Sequence, residues 1–222
     1  MLEALLTSYT FDRSDVKEKK RGSDYMSYPA IMISHEAANL YCDWLTDMYN
    51  QTPKRKYQKV KFRLPTQEEF QVAATGIYNR TKTLNKDDIT KKAKDKKTYS
   101  LKDYPNYNMS YPWWYYFFPK EVEPKNELGC YLGNFRVDQK SCANGILGDG
   151  FAFMSPVASY FANDVGLYDV VGNVGEMVQQ KGVACGGSWS HAPEKSTTSS
   201  TFTYDGPDTR VGFRIYMEII EN

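Results

Sequence analysis

Glycine and proline break this 222-residue chain into short apolar runs, with 15 Gly and 10 Pro placed mainly between them. Gly supplies turns that other residues resist and Pro stops helices and central strands, so long regular elements are few. Such a chain must be held by large side chains scattered along it, and aromatic residues at 15%, including 18 Tyr, serve that purpose. A 41% hydrophobic share at this length is enough for one sizeable core. With 28 basic against 27 acidic residues the net charge is +1, so the overall balance carries no footprint for nucleic acid or a membrane surface. No run approaches transmembrane length, and the early apolar residues Leu2 and Ala4-Leu-Leu6 are too few for a secretory leader.

Local patterns place the main elements. Ser34 can cap a helix in which Ala37, Ala38, Tyr41, Trp44, Leu45 and Met48 recur at three- and four-residue spacing, which predicts one core-facing side. Val60-Lys-Phe-Arg-Leu64 alternates like a strand that Pro65 ends, and Thr66-Gln-Glu-Glu69 is a capping box for a helix over 67–75. Residues 1–27 read as a short helix and a solvated arm, followed by a domain over 28–222. A lysine-rich insertion over 79–110, centred on Lys91-Lys-Ala-Lys-Asp-Lys-Lys97, is interspersed with Asp87, Asp88, Asp95 and Asp103. It reads as a solvated helix or loop, with contact to an anionic surface as the alternative. The aromatic run Tyr111-Pro-Trp-Trp-Tyr-Tyr-Phe-Phe118 reads as mostly buried; a carbohydrate or peptide platform is the sharper alternative. Cys42, Cys130, Cys142 and Cys185 have no zinc spacing. Cys130 and Cys142 can pair in an oxidising compartment, or else remain two buried thiols.

The densest chemical signal is Asp169-Val-Val-Gly-Asn-Val-Gly-Glu176. Two carboxylates around a glycine-containing turn leave backbone carbonyls free to face a hard cation such as calcium. The alternative is that Asp169 and Glu176 hydrogen-bond loop amides.

This turn belongs to an ordered series of phrases: Phe62-Arg-Leu-Pro-Thr-Gln-Glu-Glu-Phe70, Tyr111-Pro-Trp113, Val165 to Met177, Ala184-Cys-Gly-Gly-Ser-Trp189 and Val211-Gly-Phe-Arg214, after a helix over Ser34 to Trp44. The series resembles the formylglycine-generating enzyme (sulfatase-modifying factor) family over about residues 28–214. The resemblance implies an α+β domain with a variant of the C-type lectin fold and little regular secondary structure, two helices packing on short antiparallel strands. Most of the family's N-terminal strands have no counterpart here. Within the family, Gly129-Cys-Tyr-Leu-Gly-Asn-Phe135 and Pro156-Val157 are similar to the gliding-motility and type IX secretion lipoproteins of the Bacteroidetes, the GldK and GldJ group.

By resemblance one structural calcium site falls on Asp169, Gly172, Val174 and Glu176, the middle two through their carbonyls. A second falls on Asn134, Phe135, Asp149 and Phe151, with side-chain oxygen from Asn134 and Asp149. Catalysis departs from the pattern. The family's oxidases hold copper with two cysteines, three and eight residues after the Ser of Gly-Gly-Ser; after Ser188 these positions are His191 and Ser196. Thiolate selects Cu(I), and neither replacement supplies it, so no copper is expected. Gly175 stands where the family has a groove-forming Trp. His35 and His191 are too few for the three-histidine iron site of the sulfoxide-synthase relatives. Ser188 with His191 lacks a nucleophile elbow, and Arg63 and Arg214 read as structural arginines.

The expected function is a non-catalytic scaffold or binding domain with protein partners among envelope secretion or motility components, without nucleic acid and without a membrane span. The resemblance places it in a bacterial envelope. Alternatives are ligand display on a lectin-type fold, and a formylglycine-generating or other metal-dependent enzyme. The expected binding surface is the 190–208 loop anchored by Phe202 and Tyr204, although Ser199-Ser-Thr-Phe-Thr-Tyr204 is equally good strand sequence.

Overall fold

The computed structural model of the protein describes residues 27–76, 83–85, 98–100, 108–114, 120, 122–136 and 150–222. In chain order the elements are α1 (His35–Gln51), β1 (Lys59–Arg63), α2 (Gln67–Thr75), β2 (Thr83–Asn85), β3 (Thr98–Ser100), β4 (Gly175–Met177), β5 (Val183–Cys185), β6 (Thr201–Thr203), β7 (Val211–Gly212) and β8 (Tyr216–Glu221). The two helices join short strands and long irregular connections, an α+β arrangement with little regular secondary structure. The expected arm over 1–27 lies, apart from Ser27, outside the described residues. Within the lysine-rich insertion β2 and β3 pair antiparallel, Leu84 opposite Tyr99.

Ser34 opens α1, its Oγ accepting from the Ala37 amide at 3.1 Å. The helix buries Ala38, Cys42 and Leu45 but leaves Leu40, Trp44 and Met48 68%, 54% and 49% exposed. Of the six positions expected to face the core, Ala38 and Leu45 do so, and the expectation is corrected for Ala37, Tyr41, Trp44 and Met48, which are exposed. Polar groups decide the orientation. β1 pairs with β8 in a two-stranded antiparallel sheet, and α1 satisfies the backbone groups that β8 leaves. Phe62 N–H donates to Thr46 Oγ1 at 2.8 Å, Val60 N–H to Asn50 Oδ1 at 3.0 Å, and Asn50 Nδ2 to the Val60 carbonyl at 2.9 Å. Unpaired backbone groups are expensive to bury, so the helix turns its Thr46–Asn50 side to β1 and its larger apolar residues outward.

The capping box forms as its sequence requires: Thr66 Oγ1 accepts from Glu69 N–H at 3.1 Å and Glu69 Oε2 from Thr66 N–H at 2.8 Å. Gly76, at φ +68°, ends α2. Arg63 is structural, with two 2.7 Å bonds to Glu69 and one of 3.0 Å to Glu218. Asn163, outside every predicted element, donates to the Ala73 carbonyl at 2.7 Å and the Ala74 carbonyl at 3.1 Å, and accepts from Leu167 N–H at 2.9 Å. It fastens the last turn of α2 to the approach of the 169–176 turn.

Four strands in the order β6-β5-β4-β7 form the second sheet, with only β4–β7 parallel. Glu176 lies on central β4, opposite Cys185 on one side and Gly212 on the other. One apolar cluster joins Phe62, Leu64, Met177, Val211 and Ile215 to α1; a second joins Phe70, Leu167, Val170 and Tyr216 under α2. Of the aromatic run, Tyr111, Trp113 and Trp114 are buried, with the Trp indole N–H groups donating to the Glu123 and Thr75 carbonyls at 2.9 and 2.6 Å; residues 115–118 lie outside the described set. Cys130 is disulfide-bonded, which corrects the buried-thiol reading for that residue; Cys42 and Cys185 are free, and Cys142 lies outside the described residues. Among the described residues no helix is long and apolar enough to cross a membrane.

Candidate functional site

The turn from Asp169 to Glu176 is built on left-handed backbone: φ is +53° at Asp169, +71° at Gly172 and +49° at Asn173. Asx residues and Gly adopt this region at least cost. Gly172 is required on packing grounds as well, because a Cβ there would collide with the Asn134 carbonyl and the Phe135 ring. That close approach locks three loops together. Asn173 N–H donates to the Asn134 carbonyl at 2.8 Å, Gly172 N–H to the Gly186 carbonyl at 2.8 Å, and Trp189 N–H to the Asn173 carbonyl at 2.8 Å. Asn173, which the sequence reading did not single out, also clamps the backbone of Ser155 through its Oδ1, accepting from the amide at 2.9 Å. Gly172 thus meets Asn134 and Phe135, while Asp169, Val174 and Glu176 line one cavity. Asp149 lies outside the described residues, and Phe151 is exposed.

Two of these side chains present an oxygen that has no partner. Asn134 is fully buried; its Nδ2 donates to the Phe153 carbonyl at 2.8 Å, while its Oδ1 is unsatisfied. Glu176 is 6% exposed; its Oε1 accepts from Arg214 Nε at 2.8 Å, while its Oε2 is unsatisfied. A buried acceptor without a donor is costly, and a cation removes that cost. Asp169 differs, since Ala158 and Tyr160 amides already donate to its carboxylate at 2.6 and 3.2 Å. Burial pushes the Asp169 carboxyl above the usual range, against these amides and the nearby Arg214. Arg214 also donates to the Tyr168 carbonyl at 3.0 Å, which makes it the structural arginine expected. A cavity of about 470 Å³, walled by Tyr28, Tyr41 and Phe213, opens onto Asp169, Glu176 and Arg214.

His191 and Ser196, the two positions that the sequence resemblance sets against the oxidases' copper cysteines, lie beside the same sheet. Ser188 Oγ and His191 Nδ1 are 2.7 Å apart, but Ser188 is fully buried. The acidic group next to His191, Asp208, is held by Arg210 Nε and Nη2 at 3.0 and 2.6 Å. Among the described residues no carboxylate is bonded to the ring, and the hydroxyl is buried, so those residues do not supply the arrangement of a nucleophile and base. Burial, with Arg210 and Arg136 adding to it, lowers the His191 pKa and favours the neutral ring. Ser196 is fully buried with its Oγ unpartnered, pressed against Gly187. An imidazole bonded to a serine and a buried hydroxyl do not fit a two-thiolate copper site.

The expected binding anchors are corrected. Tyr204 is only 9% exposed and sits in the α1–β1 core cluster. Phe202, on β6 opposite Ala184, packs against that cluster and meets the His191 ring at 4.5 Å between centroids. The strand reading of 199–204 is the one the structure adopts, because alternation turns Phe202 toward the sheet's packed side between the exposed Thr201 and Thr203.

Two capped helices, short strands knotted at a glycine turn, and a thiol-free pair of positions beside them define a domain of the formylglycine-generating-enzyme type. The chain matches the sulfatase-modifying factor enzyme 1-like domain over residues 7–219 and belongs to that family. It is 27% identical over 217 residues to the inactive C-alpha-formylglycine-generating enzyme 2 of Bos taurus, covering 90% of this chain and 52% of that protein. The chain thus spans about half the length of that curated relative. PvdO from Pseudomonas aeruginosa shares the fold at a TM-score of 0.51 and 17% identity, covering 86% of this chain and 62% of its own. CarF does so at a TM-score of 0.51 and 22% identity, covering 90% and 70%.

Proposed function

We propose that this domain is a non-catalytic binding or scaffold member of its family, of the kind found in the gliding-motility and type IX secretion lipoproteins, with the C-type-lectin-like variant of the fold. One observation carries the reading: the positions that hold copper thiolates in the oxidases carry His191, engaged with Ser188 at 2.7 Å, and Ser196, fully buried. The free thiols among the described residues do not substitute. Burial raises the Cys42 thiol to about 11 and the Cys185 thiol to about 12, whereas metal binding needs the thiolate. The bovine relative's description as inactive supports the same reading. Partners are proteins, with envelope components favoured by the motifs around Cys130 and Pro156. Incubating the purified chain with copper and a sulfatase-type cysteine peptide, and following the mass of the peptide, tests the reading. No conversion above the enzyme-free control is expected; conversion above it overturns the reading.

Calcium is proposed as a structural ion, supported by the unpaired Asn134 Oδ1 and Glu176 Oε2. Asn134 with the Phe135 and Phe151 carbonyls and Asp149 would hold one ion; Glu176 with Asp169 and the Gly172 and Val174 carbonyls would hold the other. Bound there, the ion would neutralise carboxylates and tie loops together. Native mass spectrometry with and without a chelator should show bound calcium, lost at one site in Glu176→Gln; equal melting midpoints in calcium and in chelator would count against it.

A further inference from the structure

We infer that the outward ridge of α1, formed by Leu40, Trp44 and Met48 with Asp43 and Asp47 beside it, docks a basic amphipathic helix of a partner protein. With 3.6 residues per turn, positions four apart make a continuous ridge, the surface feature that seats in the groove of a second helix. All three side chains stand about half or more in solvent, at 68%, 54% and 49% exposed. Apolar side chains exposed side by side along one ridge, unlike ones scattered singly, are the kind of surface a partner covers.

Trp44 is held in place from beneath: its ring lies 5.6 Å from Tyr41, which contacts Phe213 at 5.8 Å. A preset tryptophan is the side chain most often found at the energetic centre of an interface.

Charge identifies the occupant. α1 contains Glu36, Asp43 and Asp47 and no Lys or Arg. Glu36 is paired with Lys181, whereas Asp43 and Asp47 are exposed and make no ion pair among the described residues. These two do not serve the helix itself, since they are a like-charged pair at i,i+4 and Asp47 sits toward the negative end of the dipole. A second copy packed antiparallel would set acidic edge against acidic edge, and an anionic lipid surface would be repelled. A helix with lysines or arginines flanking an apolar stripe complements both features.

The inference rests on the reading of the domain as a binding module, and names the face that binds. The full chain is titrated into three labelled synthetic peptides: one with leucines at i, i+3, i+4, i+7 and lysines elsewhere, one scrambled from it, and one with glutamate in place of lysine. The basic amphipathic peptide should bind best. Leu40→Ser with Met48→Ser should weaken it about tenfold or more, and Asp43→Asn with Asp47→Asn should weaken it and flatten its salt dependence. Circular dichroism and melting of these surface variants should match the unmutated chain, which separates lost docking from lost fold. Absence of binding, equal binding of the scrambled or glutamate peptide, or indifference to the α1 variants overturns the inference. So does sedimentation showing self-association that the Leu40 and Met48 substitutions abolish. The cysteine-peptide assay is read separately, so failure here with no peptide oxidation leaves the non-catalytic reading in place.

Discussion

The ring of Phe202 lies on the backbone of Gly175, so that a Cβ on this glycine would stand 2.5 Å from two ring atoms. At Gly175 this chain has no side chain and fills the space with Phe202 from a different strand. Gly175→Ala is expected to overpack the site at a cost of about 1–3 kcal/mol. Phe202→Ala in the same chain should relieve most of that overpacking, so the double variant should be more stable than the sum of the single changes by about 0.5–3 kcal/mol. Urea denaturation of the four proteins checks this; strict additivity would mean that the two residues do not compete for the space.

Glu176 and Arg214 form a largely buried pair, 2.8 Å apart with side chains 8% and 16% exposed. Measured with calcium chelated, Arg214→Leu strands the carboxylate and should cost about 3–5 kcal/mol. The double change with Glu176→Gln should cost clearly less, because no charge is left buried alone. A double variant as unstable as Arg214→Leu would show that the arginine acts through Tyr168 or packing instead.

Arg63 holds the Glu69 carboxyl below its usual range, with the Thr66 amide assisting. A carboxyl whose folded value is depressed contributes stability above its unfolded value and loses it as pH falls through the folded one. The contribution of this partly exposed pair should be about 1 kcal/mol at neutral pH. Glu69→Gln keeps an acceptor for the Thr66 amide while removing the charge. The stability gap between parent and variant should therefore be present at neutral pH and close on acidification below about pH 4. Parallel denaturation curves across that range, with a constant gap, would refute the assignment.

Cys42 and Cys185 are both 1% exposed and their thiols are raised by burial to about 11 and about 12. Alkylation of the native protein near pH 8 should leave both unmodified, and urea should expose both, as read by peptide mass mapping. Rapid labelling of either in the native state would show that its neighbourhood opens far more readily than its packing implies.

The sequence by itself determined what is local or carried by an ordered phrase. Ser34 and the Thr66–Glu69 box set the starts of both helices because capping needs only the next three residues. Asn134, Gly172 and Glu176 were legible as a candidate site from turn chemistry and family phrases. The structure alone decided orientation and who fills which space. Trp44 and Met48 fit the core stripe of Ala38 and Leu45 by periodicity, yet Thr46 and Asn50 turn these two side chains outward by satisfying the free backbone groups of β1, a demand visible only once the strand is beside the helix. Asn163 and Asn173 bridge segments distant in the chain, and nothing local marks an asparagine for such a role beyond its turn preference. Phe202 and Tyr204 read equally as surface or strand; pairing opposite Ala184 and the space above Gly175 drew Phe202 inward, and Tyr204, two residues on, is buried in the α1–β1 cluster. Burial depends on partners from remote sequence, and no window of neighbouring residues contains them.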